Sequence, residues 1–461
     1  MSTREKRRRV TGLLLVALIL AFCSSPQFRA FVTFPDYVRL PQGQVQDFAF
    51  GLPFGATVRS GQKGALLTGR PPGTAPWTGP FSIAALQTGH YTVDVRLFGL
   101  IPFRRMTVDV VPPMRVIPGG HSIGVLLRSR GVIVVGHAEI RDGGGQARHP
   151  ARESGIEVGD SILDIGGREV TSEEQAAQLF ETAGRRGGGV GVTVKRRGRL
   201  IEKRVTPVKD KETGRWRVGL YIRDGAAGVG TLTFYDPASH RYGALGHVIA
   251  DGETALPIDI RDGHIVDALV TAVQRGKKGA PGEKIGTMQS DGGPLGSIDR
   301  NTRFGIFGRM HLPLKNPFFA EPVEVAMGDQ VKEGPAEIYT VIEGQKLERF
   351  SVEILRVMRQ PTAEGKNMIV KITDQRLLAK TGGIVQGMSG SPILQDGRIV
   401  GAVTHVFVND PTRGYGALIE WMLQEGGILA PGNGTSLREA VPPGAFLRLG
   451  AAAFSPLVTK Q

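Results

Sequence analysis

Gly387-Met388-Ser389-Gly390-Ser391-Pro392 leads directly into an apolar, turn-punctuated run from Ile393 to Val406. A serine hydroxyl is a weak nucleophile at its free pKa, so it needs a base within hydrogen-bond reach and a third group to orient that base. Flanking glycines let the backbone turn sharply enough to aim the N–H groups of Gly387 and Ser389 at one point, where a carbonyl oxygen would become an oxyanion. Gly-x-Ser-Gly alone is common in turns. The residues C-terminal to it add weight: Pro392-Ile393-Leu394, a turn at Gln395-Asp396-Gly397, and the run Arg398 to Thr404 read as a β-hairpin.

This placement is similar to that in chymotrypsin-like peptidases, where the second strand of such a hairpin forms one wall of the substrate cleft. Thr404, His405 and Val406 are therefore candidate substrate-wall residues, and Gly387 and Ser389 the candidate oxyanion hole. For the base, His247 leads. It stands among small residues in Gly243-Ala244-Leu245-Gly246-His247, far enough upstream to come from the other half of a two-barrel domain, with His240, His264 and His311 as alternatives. Spacing alone leaves the orienting acid open among Asp251, Asp259, Asp291 and Asp374.

Composition sets the wider frame. The chain has 461 residues, room for about three domains. Its 65 glycines are about twice the usual share of roughly 7%, which favours many tight turns and a β-rich protein. The formal charge of +14 is scattered apart from Arg4, Lys6, Arg7, Arg8 and Arg9, and no aromatic-interleaved basic stripe supports nucleic-acid binding. A negatively charged membrane surface suits that cluster better. Cys23 is the only cysteine, which excludes an intramolecular disulfide and a thiolate metal site. No His-Glu-x-x-His occurs, and no cofactor or metal is expected.

The basic cluster precedes an uncharged run, Val10 to Cys23, so residues 1–30 read as a signal-anchor or transmembrane segment. That run is shorter than the roughly 20 residues of a comfortable span. Residues 31–112 read as a small β domain, from alternating stretches such as Tyr91 to Leu97 and Met106 to Val110, with Arg70 to Pro76 as a loop.

Residues 113–208 contain Ser154-Gly155-Ile156-Glu157-Val158-Gly159-Asp160, followed by Ser161 to Gly167. This resembles a PDZ domain, whose hallmark is Gly-apolar, two residues, Gly-Asp and then a strand. A helix is expected from Thr171, with Glu174 completing a capping box. PDZ domains bind an extended peptide along a strand edge, and Ser122, Ile123, Gly124 and Val125 would supply the peptide-binding loop. Lys209 to Arg217 reads as a linker, residues 209–429 as one β-rich peptidase domain, and 430–461 as a C-terminal tail.

From Tyr242 to Met422 the sequence resembles the stage IV sporulation protein B serine peptidases of endospore-forming bacteria. The residues that carry the resemblance are Gly246-His247-Val248-Ile249, Ile372-Thr373-Asp374, Gly383 through Pro392, and Ala402 through Pro411. It extends to the membrane segment, the turn Phe98 to Pro102 and the PDZ region. The resemblance implies a mainly β protein: a chymotrypsin-like double β-barrel peptidase domain preceded by a PDZ domain and a small N-terminal β domain. It implies His247 as base, Asp374 as its orienter and Ser389 as nucleophile. It further implies an exported serine endopeptidase, anchored at its N-terminus between the mother-cell and forespore membranes. Its substrates would be itself and the regulatory partner of an intramembrane metalloprotease, leading to sigma factor processing.

Three departures from the digestive enzymes stand out, the first being that Asp374 lies only fifteen residues before Ser389, whereas their acid is much further upstream. Met388 occupies the place of an Asp that pairs there with a newly cut N-terminus, so activation by that ion pair is not expected. Gly383, at the floor of the specificity pocket, carries no acid to favour Lys or Arg. The competing reading is an inactive PDZ-containing envelope scaffold; the joint presence of His247, Asp374 and Ser389 argues against it.

Overall fold

The computed structural model describes residues 3–25, 28, 34–48, 54–60, 66–69, 81–97, 100–289, 292–358 and 365–430. The expected loop Arg70 to Pro76, residues Phe98 and Gly99 of the expected turn, Asp291, and residues 431–461 of the tail lie outside them. The protein is mainly β. It divides into two compact units, one built on Met1–Met114 and the other on Arg115–Ala326 and Val331–Ala430.

In the first unit, a helix covers Thr3–Ser24. Its Leu14, Leu15, Val16, Leu18, Ile19 and Leu20 are exposed. No helix among the described residues is long and apolar enough to cross a membrane. The uncharged run Val10 to Cys23 extends ~21 Å as a helix, against a hydrocarbon thickness of ~30 Å. Beyond the helix lie two sheets. One orders Tyr37–Pro41, Ile101–Val111, Gly89–Leu97 and Phe54–Ser60; the other orders Val45–Phe48, Phe81–Ala85 and Leu66–Gly69. Alternation along Gly89–Leu97 and Ile101–Val111 buries Tyr91, Val93, Val95, Met106, Val108 and Val110 against Phe81 and Ile83 in one core.

In the second unit, the long strand Ser122–His137 organises a 14-stranded sheet. Ile123, Gly124 and Val125 pair with Gly230, Val229 and Gly228 on one edge and with Asp267, Val266 and Ile265 on the other. Ser122 pairs with Thr231 and is buried. This corrects the assignment of Ser122 to Val125 as a peptide-binding loop. Strand addition needs unpaired backbone groups, and here the chain's own strands already take them.

Farther along the same strand, Val132 and Ile133 pair with Ile162 and Ser161, which begins the smaller strand–helix region. Its helix runs Glu173–Arg185, with its N-cap one residue later than expected. Ser172 is the N-cap, accepting from the Gln175 amide, while the Gln175 side-chain oxygen accepts from the Thr171 amide. Gln175, three residues after the cap, takes the place expected of Glu174. Ala176 and Phe180 face the core with Ile156, Ile162 and Val194.

Strands on both sides of position 208/209 belong to the 14-stranded sheet. Between them Val208–Lys209 pairs with Trp216–Arg217 as a separate two-stranded hairpin, and the strand Leu220–Asp236 then runs beside Ser122–His137 over most of its length. The last lobe is a closed barrel ordered Gly334–Val341, Leu347–Val357, Met368–Ile372, Asp410–Leu418, Arg398–Phe407 and Pro392–Gln395. Its interior takes alternate residues, including Ile338, Phe350, Val352, Val370, Ile393 and Ile399. The other lobe, centred on Leu220–Asp236, Arg241–Ala244 and Ile260–Gln274, remains an open half-barrel within the large sheet.

Candidate active site

The nucleophile loop is held between a helix and a barrel strand. Asp374 caps the helix Gln375–Thr381, its Oδ1 accepting from the amides of Arg376 at 2.9 Å and Leu377 at 3.3 Å. Gly382, at φ 75°, closes that helix in the left-handed conformation. The chain then passes through buried Gly383 and reaches Ser389 just before the strand Pro392–Gln395. A Cβ at Gly390 would sit 2.0 Å from the Thr231 carbonyl oxygen, and its φ is 96°, so only glycine serves there. Gly390 donates to Val403 O at 2.7 Å and accepts from the Thr233 hydroxyl at 2.8 Å, which ties the loop to both lobes.

Ser389 is half-buried, and its Oγ donates to the carbonyl of Thr404 at 2.7 Å. The N–H groups of Gly387 and Ser389 donate to nothing among the described residues, whereas the Met388 amide is turned back to Val385 O. Met388 itself is fully buried. Two free N–H groups beside one hydroxyl are the parts an oxyanion hole requires.

His247 follows a tight turn. The Gly246 amide donates to Ala244 O, a three-residue turn centred on Leu245, whose φ of 71° is unusual for a branched side chain. This turn packs on the nucleophile loop: the Leu245 amide lies 2.5 Å, and the Thr231 carbonyl oxygen 2.0 Å, from where a Gly390 Cβ would stand. His247 is buried, and its ring centroid is 5.1 Å from that of His405. Its Nδ1–H donates to the Val248 carbonyl at 2.9 Å, which leaves Nε2 with a free lone pair. Burial holds the ring below its ordinary pKa, partly offset by that carbonyl. A neutral imidazole is the form a general base needs.

The substrate-wall candidates are placed on the strand Arg398–Phe407. Thr404 is buried, with its hydroxyl donating to Tyr415 O; His405 and Val406 are half-buried opposite Tyr415 and Gly414. His405 is brought down to about 3 by burial, then by His247 and Lys366, and its Nδ1 is buried without a partner. The site therefore holds two neutral histidines.

Ser389, His247 and the wall strand come together, but Asp374 does not meet His247. Its carboxylate is committed to the helix amides and to Arg376 at 3.2 Å. The other candidates are also engaged elsewhere: Asp251 accepts from Thr254 and Glu253 and faces Arg223, and Asp259 pairs with Lys195. Of the alternative bases, His240 bonds the Tyr235 hydroxyl and His311 the Pro294 carbonyl.

Lys284 belongs to no motif, and sequence reasoning missed it. It is 2% exposed, and its Nζ lies 2.8 Å from the Thr340 hydroxyl and 3.4 Å from that of Thr231. Burial alone lowers its ammonium to about 7. A signal was present: along Glu283–Gln289, Lys284 has the parity of Gly286 and Met288, the inward face, where a lysine is out of place.

Residues 214–423 match the family model described as SpoIVB peptidase S55. This segment is a SpoIVB-type serine peptidase. The match begins in the short hairpin before Leu220–Asp236 and ends in the helix Ile419–Glu425, so it takes in both lobes, His247 and Ser389. One similar solved structure is that of Rv3671c from M. tuberculosis H37Rv, in the inactive form of a serine-to-alanine mutant. It covers 44% of this chain and 84% of its own, with 14% sequence identity and a TM-score of 0.26.

Proposed function

We propose that this serine peptidase of the sporulation family is a regulated signalling endopeptidase in which Ser389 attacks, His247 takes its proton through Nε2, and Asp374 orients His247. Gly387 and Ser389 then supply the N–H groups that hold the oxyanion. The observation that carries the reading is that Ser389 and buried His247 meet the same strand Arg398–Phe407: Ser389 Oγ donates to Thr404 O, the His247 ring lies 5.1 Å from that of His405, and the Gly387 and Ser389 N–H groups have no partner among the described residues. The three catalytic groups are each engaged outside the triad: Ser389 with Thr404 O, His247 with Val248 O, Asp374 with its helix. This is a resting arrangement. Activation consists of exchanging those partners for one another, a means of control that needs no ion pair at Met388.

On this reading the substrates are the chain itself and a regulatory partner of an intramembrane metalloprotease. The region 113–208 acts as a PDZ-type module whose strand edge is occupied internally. The apolar residues exposed on Thr3–Ser24, following a basic cluster, favour attachment to a membrane surface between the mother-cell and forespore membranes. The test is expression of the wild type and Ser389→Ala in a host with its own proteases controlled. Wild type shortens itself and the variant stays full length; a Ser389→Ala chain that still shortens overturns the catalytic assignment and favours the scaffold reading.

A further inference from the structure

The most unusual polar group outside the triad is Lys284. It is donor-rich, almost fully buried, and has no carboxylate among its described partners. Retaining an amine in such a place costs stability that an apolar residue of similar length would not. Its surroundings show what it holds.

We propose that Lys284 is a positioning residue for the oxyanion hole: through its backbone N–H and its side chain it sets the two peptide groups that flank Gly387, and so aims the Gly387 N–H at the reacting carbonyl. This deepens the peptidase reading above and rests on it.

The first peptide group is Gln386–Gly387. The Lys284 amide donates to Gln386 O at 2.9 Å, and the Gln386 amide donates to Gly282 O at 2.8 Å. A trans peptide places the next N–H opposite the carbonyl, so fixing Gln386 O toward Lys284 sends the Gly387 N–H away from that strand. That N–H has no partner among the described residues and is free for a ligand oxygen.

The second peptide group is Gly387–Met388. Gly387 O accepts from the Thr231 hydroxyl at 2.7 Å. Thr231 Oγ1 has one proton, and Lys284 Nζ on its other side donates, so the hydroxyl must accept from the lysine and send its own proton to Gly387 O. Thr340 anchors Nζ from the closed barrel at 2.8 Å. The lysine stem completes the arrangement: a Cβ at Gly387 would lie 3.1 to 3.3 Å from Lys284 Cβ, Cδ and Cγ, and Gly387 has φ 87°. Gly387 thus lies flat on the lysine with both of its peptide planes fixed by it. A role confined to joining the lobes would not require the relay through Thr231.

The experiment uses the purified full chain as wild type, Lys284→Met, Thr231→Val and the double variant. It measures kcat and KM on a peptide that wild type cleaves, the rate of Ser389 modification by a small alkyl fluorophosphonate, and Tm. The phosphonyl oxygen enters the oxyanion hole without needing the natural substrate. Lys284→Met is expected to lower kcat and the modification rate together by about 10- to 100-fold with KM within threefold, short of the ~10²- to 10³-fold loss from deleting a donor. Thr231→Val, which keeps the lysine, is expected to do the same, and the double variant to lose no more than either alone, as residues in one relay do. Lys284→Met with kcat within twofold of wild type, a loss seen in KM instead, or fully additive losses would overturn the proposal. A wild type that neither cleaves nor is modified at Ser389 would overturn the peptidase reading itself, an outcome distinct from an active wild type with indifferent variants.

Discussion

The hydroxyl of Ser389 donates to the backbone carbonyl of Thr404 at 2.7 Å, not to a histidine. On the proposed assignment, a nucleophile tied to this strand is released when the strand moves or when substrate competes for the same carbonyl. Ser389→Ala should abolish peptide cleavage and self-shortening while altering stability by only ~1 kcal/mol, the usual net worth of one such hydrogen bond. Mass spectrometry of the intact chain together with thermal unfolding measures both.

Asp374 has two roles to separate. Asparagine caps a helix about as well as aspartate, whereas alanine costs about 1 kcal/mol. Asp374→Asn should therefore melt near wild type and Asp374→Ala lower, while both lose turnover by orders of magnitude if the carboxylate serves His247. Near-normal turnover in the Asn variant would confine Asp374 to its helix.

His247 is held below its ordinary pKa of 6.5 by burial, so on the proposed assignment the free enzyme's base is neutral at that pH. The acid limb of kcat/KM is expected below 6.5. A limb centred above 6.5 would show that a carboxylate reaches His247 in the working enzyme, since a nearby negative charge raises the pKa.

His405 and Lys284 tie stability to pH in two separate windows. His405 binds its proton near 3 when folded but near 6.5 when unfolded, so its contribution is present above 6.5 and is lost as pH falls toward 3. His405→Gln should flatten that decline in Tm. Lys284 releases its proton near 7 when folded against 10.5 when unfolded, so the unfolded chain binds the extra proton between these values and stability rises with pH across them. The Tm advantage of Lys284→Met over wild type should accordingly shrink from pH 7 to pH 10, as followed by calorimetry.

Much of the site was legible because local chemistry announces itself. Gly390 could be read as essential from its place beside Ser389, and the clash that any Cβ would meet with Thr231 O gives the reason. The hairpin Pro392–Gln395 and Arg398–Phe407 followed from its apolar run and from the turn at Asp396 and Gly397, both at positive φ. The helix cap slipped by one residue, from Thr171 to Ser172, because adjacent hydroxyl residues compete for one role and only the packing of Ala176 and Phe180 chooses. The segment Ser122 to Val125 was misread because a strand's sequence shows which faces are apolar and does not show whether its edges are paired.

The sequence by itself determined the β-rich character, the nucleophile loop and the serine-peptidase family of residues 214–423, since turns, alternation and contiguous motifs are local properties. Only the tertiary structure decided which partners those groups hold. Thr404 O for Ser389, Val248 O for His247, the helix amides for Asp374 and the Thr231 relay for Lys284 are each selected by geometry. Hydrogen bonds act over about 3 Å, and which groups come that close across more than a hundred residues depends on how strands register, which short motifs do not encode.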